Sequence, residues 1–278
     1  MNKATFTYCE EDLEFIRDWA ESKPSPITQR DYKRTLQQFL NFVQKNVRDC
    51  LASDLQQWLN NMKARGLSRD SLRSKAVIVK AFFSHAAALR YVEYNVMKRV
   101  KTPPAKPQAK DRILPEAKLI EVLHHPDLTT VEYLLVHTLY YTGCRISEAV
   151  NIKWSDINQN VLTVIGKGNK EREIVLPEKL LQILTEAHKQ SPHKFVFTRK
   201  TGLAMDRHEA SRHIKSVGAK CGIPKLSCHW FRHCHASHAL ERGANIKLIS
   251  ETLGHRSVAT TSLYIHTLSD RSSGSYLA

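Results

Sequence analysis

The sequence predicts a mainly α protein: an N-terminal helical bundle, then a larger, mostly α-helical domain with a small antiparallel β-sheet. Three observations lead there. Apolar residues recur at three- and four-residue intervals through most of the 278 positions, with capping residues and glycines placed to start and stop helices. Residues 101–112 read KTPPAKPQAKDR, with prolines at 103, 104 and 107 and no large apolar side chain, which makes an extended, semi-rigid segment. Two β-branched runs, VLTVIG and EREIVLP, flank a turn containing Gly168 and Asn169, the pattern of a hairpin. The expected division is therefore a helical bundle over 1–100, a basic linker over 101–112 and a second domain over 113–278.

The helices of the first part have local signatures. In CEEDLEFIRDWAES, Leu13, Ile16 and Trp19 or Ala20 form one stripe behind an acidic first turn. Thr28 with Asp31 reads as an N-cap pair ahead of Tyr32, Leu36, Phe39, Leu40 and Val43. Ser53 and Gln56 have capping-box spacing, and Gly66 stands where that helix should stop. Ser68 opens a long helix with Leu72, Ala76, Val79, Phe83 and Ala86 on one side, while Arg65, Arg69, Arg73 and Lys80 lie on another stripe. Such a stripe is either a solvated face or a row of phosphate contacts.

In the second part, LPEAKLIEVLHH and the more apolar TVEYLLVHTLYYTG are helices, the latter stopped by Gly143. Cys144-Arg145-Ile146-Ser147-Glu148 follows at once. An arginine flanked by apolar residues is costly to bury without an anion, and Glu148 is the local alternative to a bound one. PEKLLQILTEAHK and DRHEASRHIKSVGAKCG are two more helices, with FVFT extended between them. Next comes HWFRHCHASHALERGANIKLISETLGHRSVATTSLY, in which His229 and Arg232 lie three apart on a helix, Gly243 and Gly254 end successive helices, and His255 and Tyr264 follow.

Composition narrows the partners. With 42 Lys and Arg against 27 Asp and Glu, the formal net charge is +15, which favours polyanions. No apolar run approaches the roughly 20 residues of a membrane span, and the N-terminus MNKATFTYCEEDLEF lacks a leader's apolar core, so no membrane partner is expected. Cys9, Cys50, Cys144, Cys221, Cys228 and Cys234 have no C-x-x-C spacing and suit reduced thiols. His229, His233, His235 and His238 with Cys228 and Cys234 raise the alternative of a zinc site. The absence of H-E-x-x-H and of zinc-ribbon spacing argues against it, so neither a metal nor another cofactor is expected. His233 and His266 read instead as packed or supporting histidines, and His124, His125, His188 and His193 as surface.

The order T-G-x-R-x-S-E, G-K-G-N-K-E-R, H-x-x-R, L-G-H and T-T-x-x-Y-x-H resembles the tyrosine recombinases, the phage integrase family, with Cys144 where leucine is usual. The resemblance covers the second domain by motif and the first by architecture, and the simple Xer-like two-domain plan is the closer likeness. It implies a site-specific DNA recombinase whose core-binding domain precedes a catalytic domain. The implied catalytic set is Arg145, Lys167, His229, Arg232, His255 and the nucleophile Tyr264. Arg65, Arg69, Arg73, Lys80, Lys101, Lys106, Lys110 and Lys170 are candidate DNA contacts. The implied partner is double-stranded DNA with an inverted-repeat core site, bound by a homodimer at each site and a homotetramer in the synapse. The implied location is the cytoplasm, the chain being encoded by a bacterium, phage, plasmid or transposon. Resolution of DNA dimers or transposon cointegrates, and integration or excision of a mobile element, all fit. A type IB topoisomerase shares the phosphotyrosine step, and a catalytically inactive DNA-binding protein shares the charge.

Overall fold

A computed structural model of the chain describes residues 9–104, 112–166, 170–199 and 201–254. The chain divides into two compact units, Met1–Pro107 and Gln108–Ala278. Eleven α-helices and one three-stranded antiparallel sheet stand among the described residues.

The first unit is a bundle of α1 (Glu10–Glu21), α2 (Pro26–Val43), α3 (Ala52–Ala64) and α4 (Arg69–Ala88). Its core is aromatic. Phe82 meets Trp19 and Phe83 edge-on at 5.3 and 5.5 Å between ring centres, and Phe39 meets Trp58 at 5.4 Å. Three local expectations shift. On α1 the buried stripe is Asp12, Ile16, Trp19 and Ala20, while Leu13 is exposed. Asp12 goes in because its carboxylate accepts the Val47 N–H at 2.8 Å and the Tyr91 hydroxyl at 2.6 Å, partners remote in sequence. Helix α2 starts at Pro26, whose fixed φ suits a first helical position, and not at Thr28. Helix α3 is capped by Asp54, which accepts the Leu51 N–H at 2.7 Å and pairs with Lys45, so the Ser53–Gln56 reading is off by two residues.

The second unit is built around α6 (Thr130–Thr142), which is buried on nearly every face. Helices α5 (Glu116–Leu123), α8 (Glu178–Lys189), α9 (Arg207–Lys220) and α10 (Cys228–Glu241) pack against it. Short α7 (Ile146–Ala149) follows α6. The sheet holds β1 (Ile157–Asn158), β2 (Val161–Ile165) and β3 (Glu171–Val175), and the chain then reaches α11 (Ile246–Leu253) after α10. The β2–β3 register pairs Val161 with Val175 and Ile165 with Glu171. β1 was not expected from sequence, because two residues are too few to show a period. The six cysteines are free thiols.

Helix α6 begins with a capping box: Thr129 accepts the Glu132 N–H, and Glu132 accepts that of Thr129. The Glu132 carboxylate, 3% exposed, also takes the Lys220 ammonium of α9 at 2.6 Å. Burial pushes its pKa up, but the Lys220 ammonium and the Thr129 N–H outweigh burial and hold it at about 2. A carboxyl depressed in the folded state stabilises above its unfolded value near 4.5 and loses that contribution as pH falls toward 2. Glu132 should therefore contribute about 3 kcal/mol that disappears over this window. Urea unfolding at pH 5 and pH 2.5 checks this: Glu132→Gln should show a flatter fall than wild type, and equal slopes would refute the assignment.

Candidate active site

Helix α11 is a single short element, and it is fixed at its C-terminal end by arginines from three other segments. Nη1 of Arg232, on α10, donates to the Gly143 carbonyl at 2.7 Å, and its Nη2 donates to the Leu253 carbonyl at 2.6 Å. Arg172 Nε, on β3, donates to the Thr252 carbonyl at 2.7 Å. Arg145 Nη2, at the start of α7, approaches the Gly254 carbonyl at 3.4 Å. The physical reason is the helix end: its last carbonyls lack intrahelical partners and carry partial negative charge, which cations satisfy. Arg232 is buried at 5% exposure between two such ends, those of α6 and α11.

Glycine makes the approach possible. Gly143 has φ 61°, and a Cβ there would lie 2.6 Å from Leu253 Cδ2 and 2.9 Å from His235 Cδ2. Gly254, at φ 64°, turns the chain left-handed directly after α11. His255 comes next in sequence and lies outside the described residues, as do Tyr264, Lys167, Lys106 and Lys110.

Glu148 binds the first box to the sheet. Its side chain, 5% exposed, accepts from the Arg145 N–H and Arg145 Nη1, both at 2.8 Å, and from Arg172 Nη2 at 2.8 Å. Burial works to raise its pKa, but the hydrogen bonds from Arg172 and the Arg145 N–H prevail, and the carboxyl sits below its ordinary value. The local alternative raised for Arg145 is thus real: it does pair with Glu148. It is also open, with 37% of its side chain exposed. At the root of the β2–β3 hairpin, Gly166 donates to the Lys170 carbonyl at 2.8 Å, and a Cβ on Gly166 would lie 3.7 Å from Glu148 Oε1. Lys167 leaves the described chain at that point.

His229 stands exposed one turn before Arg232 on α10. Crowding by the protein, then the charges of Arg232, Arg112 and Arg145, keep its imidazole below the ordinary value. Three other side chains of α10, His235, His238 and Cys234, have structural occupations. His235 Nδ1 bonds to the Tyr140 carbonyl at 2.8 Å, and burial holds its pKa near 4. His238 Nε2 lies 2.9 Å from the Leu114 carbonyl and so carries the proton, leaving Nδ1 to accept from the Tyr140 hydroxyl at 3.3 Å. Cys234 Sγ accepts the Leu114 N–H at 3.2 Å. Among the described residues no three His, Cys, Asp or Glu side chains are grouped as metal ligands.

The basic stripe of the first unit splits. Arg65 and Arg69 are exposed, as are Lys101 and Lys170. Arg73 instead donates to the Pro103 carbonyl at 2.8 Å, and Lys80 to the Val100 carbonyl and Thr102 Oγ1 at 2.7 and 3.1 Å. These two tie down the chain leaving the bundle. Arg172, which ends the G-K-G-N-K-E-R run, has no role assigned from sequence. Its signal was parity: on β3 it shares the inward side with Ile174, where an arginine must find acceptors.

Comparison with known proteins now bears on the site. Residues 114–271 match the phage integrase family and residues 14–89 its N-terminal SAM-like domain. The chain belongs to the phage integrase family, the tyrosine recombinases. Among curated members it is 29% identical to tyrosine recombinase XerD of Staphylococcus epidermidis over 94% of both chains. It is 35% identical to tyrosine recombinase XerA of Pyrococcus furiosus, over 84% of this chain and 83% of that one. Its fold is shared with a lambda integrase dimer bound to a COC′ core site, at TM-score 0.79 and 16% identity over 95% of this chain and 79% of that one. It is likewise shared with the XerH recombinase bound to a palindromic difH substrate, at TM-score 0.73 and 19% identity over 92% and 81%.

The contact at Gly143 yields a prediction with an internal control. Gly143→Ala should cost about 2–4 kcal/mol, combining left-handed strain with overpacking against Leu253 and His235. Gly66→Ala, at φ 83° with no heavy atom within 4 Å of the added Cβ, should cost only about 1–2 kcal/mol of strain. Urea unfolding of both variants checks the difference, and equal costs would mean that the α6–α11 approach is not tight.

Proposed function

We propose that this tyrosine recombinase is a site-specific DNA strand transferase working through a 3′-phosphotyrosyl link. The observation that carries the reading is the convergence of Arg145 and Arg232 on the end of α11, immediately before His255 in the chain. Family motifs mark these same residues.

Each role follows from residue chemistry. Guanidinium forks donate paired, charge-assisted hydrogen bonds to phosphate oxygens, so Arg145 and Arg232 stabilise charge on the non-bridging oxygens, with His255 as a further donor. Tyr264 loses its phenolic proton and attacks phosphorus. His229, whose imidazole is held below its ordinary value by its surroundings, accepts or positions that proton. As the bond from phosphorus to the 5′-oxygen breaks, the Lys167 ammonium gives that oxygen its proton. The phosphotyrosyl ester keeps the energy of the broken bond, so another strand's 5′-hydroxyl can reverse the step and join the new strand without ATP.

The partner proposed is double-stranded DNA with an inverted-repeat core site, contacted by Arg65, Arg69, Lys101, Lys106, Lys110 and Lys170. Relatives in the same fold are described as a dimer on a core site and as a tetramer on a Holliday junction. The same assemblies are proposed for this chain, a homodimer per site and a homotetramer in the synapse, acting in the cytoplasm. Dimer or cointegrate resolution, integration and excision all use this one chemical step. A type IB topoisomerase would share cleavage but not exchange between two sites, and the recombinase relatives favour exchange.

A nicked duplex captured covalently by the wild-type chain from a randomised pool supplies a substrate for testing. Tyr264→Phe should bind it and form no adduct, whereas an adduct in that variant would mean that another residue attacks. Cleavage should continue in excess EDTA, because charge on the phosphate is met by arginine and lysine; loss restored by Mg²⁺ or Zn²⁺ would overturn the mechanism. Lys167→Ala should be strongly slowed on ordinary DNA and largely rescued when the leaving 5′-oxygen is sulfur, whose thiolate needs no proton. Arg232→Ala should gain nothing from sulfur. Rescue of Lys170→Ala in place of Lys167→Ala would move the acid role to Lys170.

A further inference from the structure

Arg172 is the last residue of the G-K-G-N-K-E-R run, which gives it no role of its own, yet its side chain touches three separate parts of the site. It is 12% exposed and enters from β3, just beyond the hairpin turn that carries Lys167. Nε holds the Thr252 carbonyl at 2.7 Å, and Nη2 holds Glu148 Oε2 at 2.8 Å. Nη2 also lies 3.7 Å from Cys144 Sγ, an acceptor that leucine would not provide. The turn at Gly254 runs against the guanidinium: a Cβ there would sit 3.3 Å from Nη1. Arg145 stands three residues before Glu148 in sequence, and His255 three residues after Thr252.

We propose that Arg172 is a positioning residue for DNA cleavage, which touches no substrate but orients Arg145 through Glu148 while it holds that carboxylate against the carbonyl end of α11. The proposal rests on the functional reading above. The planar fork explains why arginine stands here: its donors leave in fixed, divergent directions, so one side chain sets the angle between a buried carboxylate and a helix end. A lysine offers a single ammonium at the end of a flexible stem and cannot hold both acceptors in that geometry. If Arg172 served the fold alone, removing it would lower stability without regard to which catalytic group is present.

A double-mutant cycle separates the two roles. With the full chain and the captured nicked duplex, Arg172→Met should bind DNA within about threefold of wild type and form the adduct about a hundredfold more slowly, the scale of a misplaced catalytic group. In an Arg145→Ala background the same substitution should slow the reaction by less than about tenfold, since an arginine already absent cannot be misplaced. Arg172→Lys should show a smaller loss with the same shrinkage, and it carries the test if Arg172→Met melts below the assay temperature. Equal losses in both backgrounds, a wild-type rate in Arg172→Met, or a loss confined to DNA affinity would each overturn the proposal. Failure of the wild-type chain to form any adduct, or an adduct with Tyr264→Phe, would instead remove the functional reading itself and the basis of this role with it.

Discussion

The geometry of the candidate site depends on how α11 ends. An eight-residue helix is too short to hold its shape alone, and the apolar contacts of Ile249 and Leu253 with Ala236 form only a small cluster. What fixes it is the satisfaction of its terminal carbonyls by Arg172, Arg232 and Arg145, reached from β3, α10 and α7. Hydrogen bonds from charged donors contribute about 1.5–3 kcal/mol each, so the arrangement is comparable with the whole stability of a small domain. The same groups whose charge suits phosphate therefore also build the surface on which phosphate would sit.

That double use explains the burial pattern around Glu148. A lone carboxylate at 5% exposure would be costly, and an arginine beside it would be costly without an acceptor. Together, Glu148, Arg145 and Arg172 satisfy one another while Arg145 remains partly open to solvent. The buried member fixes direction and the exposed member faces outward. Gly143 belongs to the same constraint, because any side chain there would push Leu253 and its carbonyl away from Arg232.

Charge counted from sequence overstates what is free for DNA. Lys45, Arg73, Lys80, Arg172 and Lys220 are each engaged with carbonyls or carboxylates inside their own unit. Arg73 and Lys80 look like phosphate contacts on a helical wheel, and they are anchors for residues 100–103. Arg65 and Arg69 of the same stripe are exposed.

By itself the sequence determined whatever is decided within a few residues of chain. Helical periodicity marked α2, α4, α6 and α10, and the glycines at 66, 143 and 254 marked the ends of helices, while resemblance to the family's motifs is what singles out Arg145, Lys167, His229, Arg232, His255 and Tyr264 as the proposed catalytic set. Tertiary structure decided everything that depends on partners far along the chain. Leu13 and Asp12 exchange places because Asp12 is met by Val47 and Tyr91. Arg172 and Thr252 are 80 residues apart and Arg232 and Gly143 are 89 apart, so no local window contains both donor and acceptor. A hydrogen bond is short-ranged and directional, and it becomes legible only once packing has brought its two ends within about 3 Å.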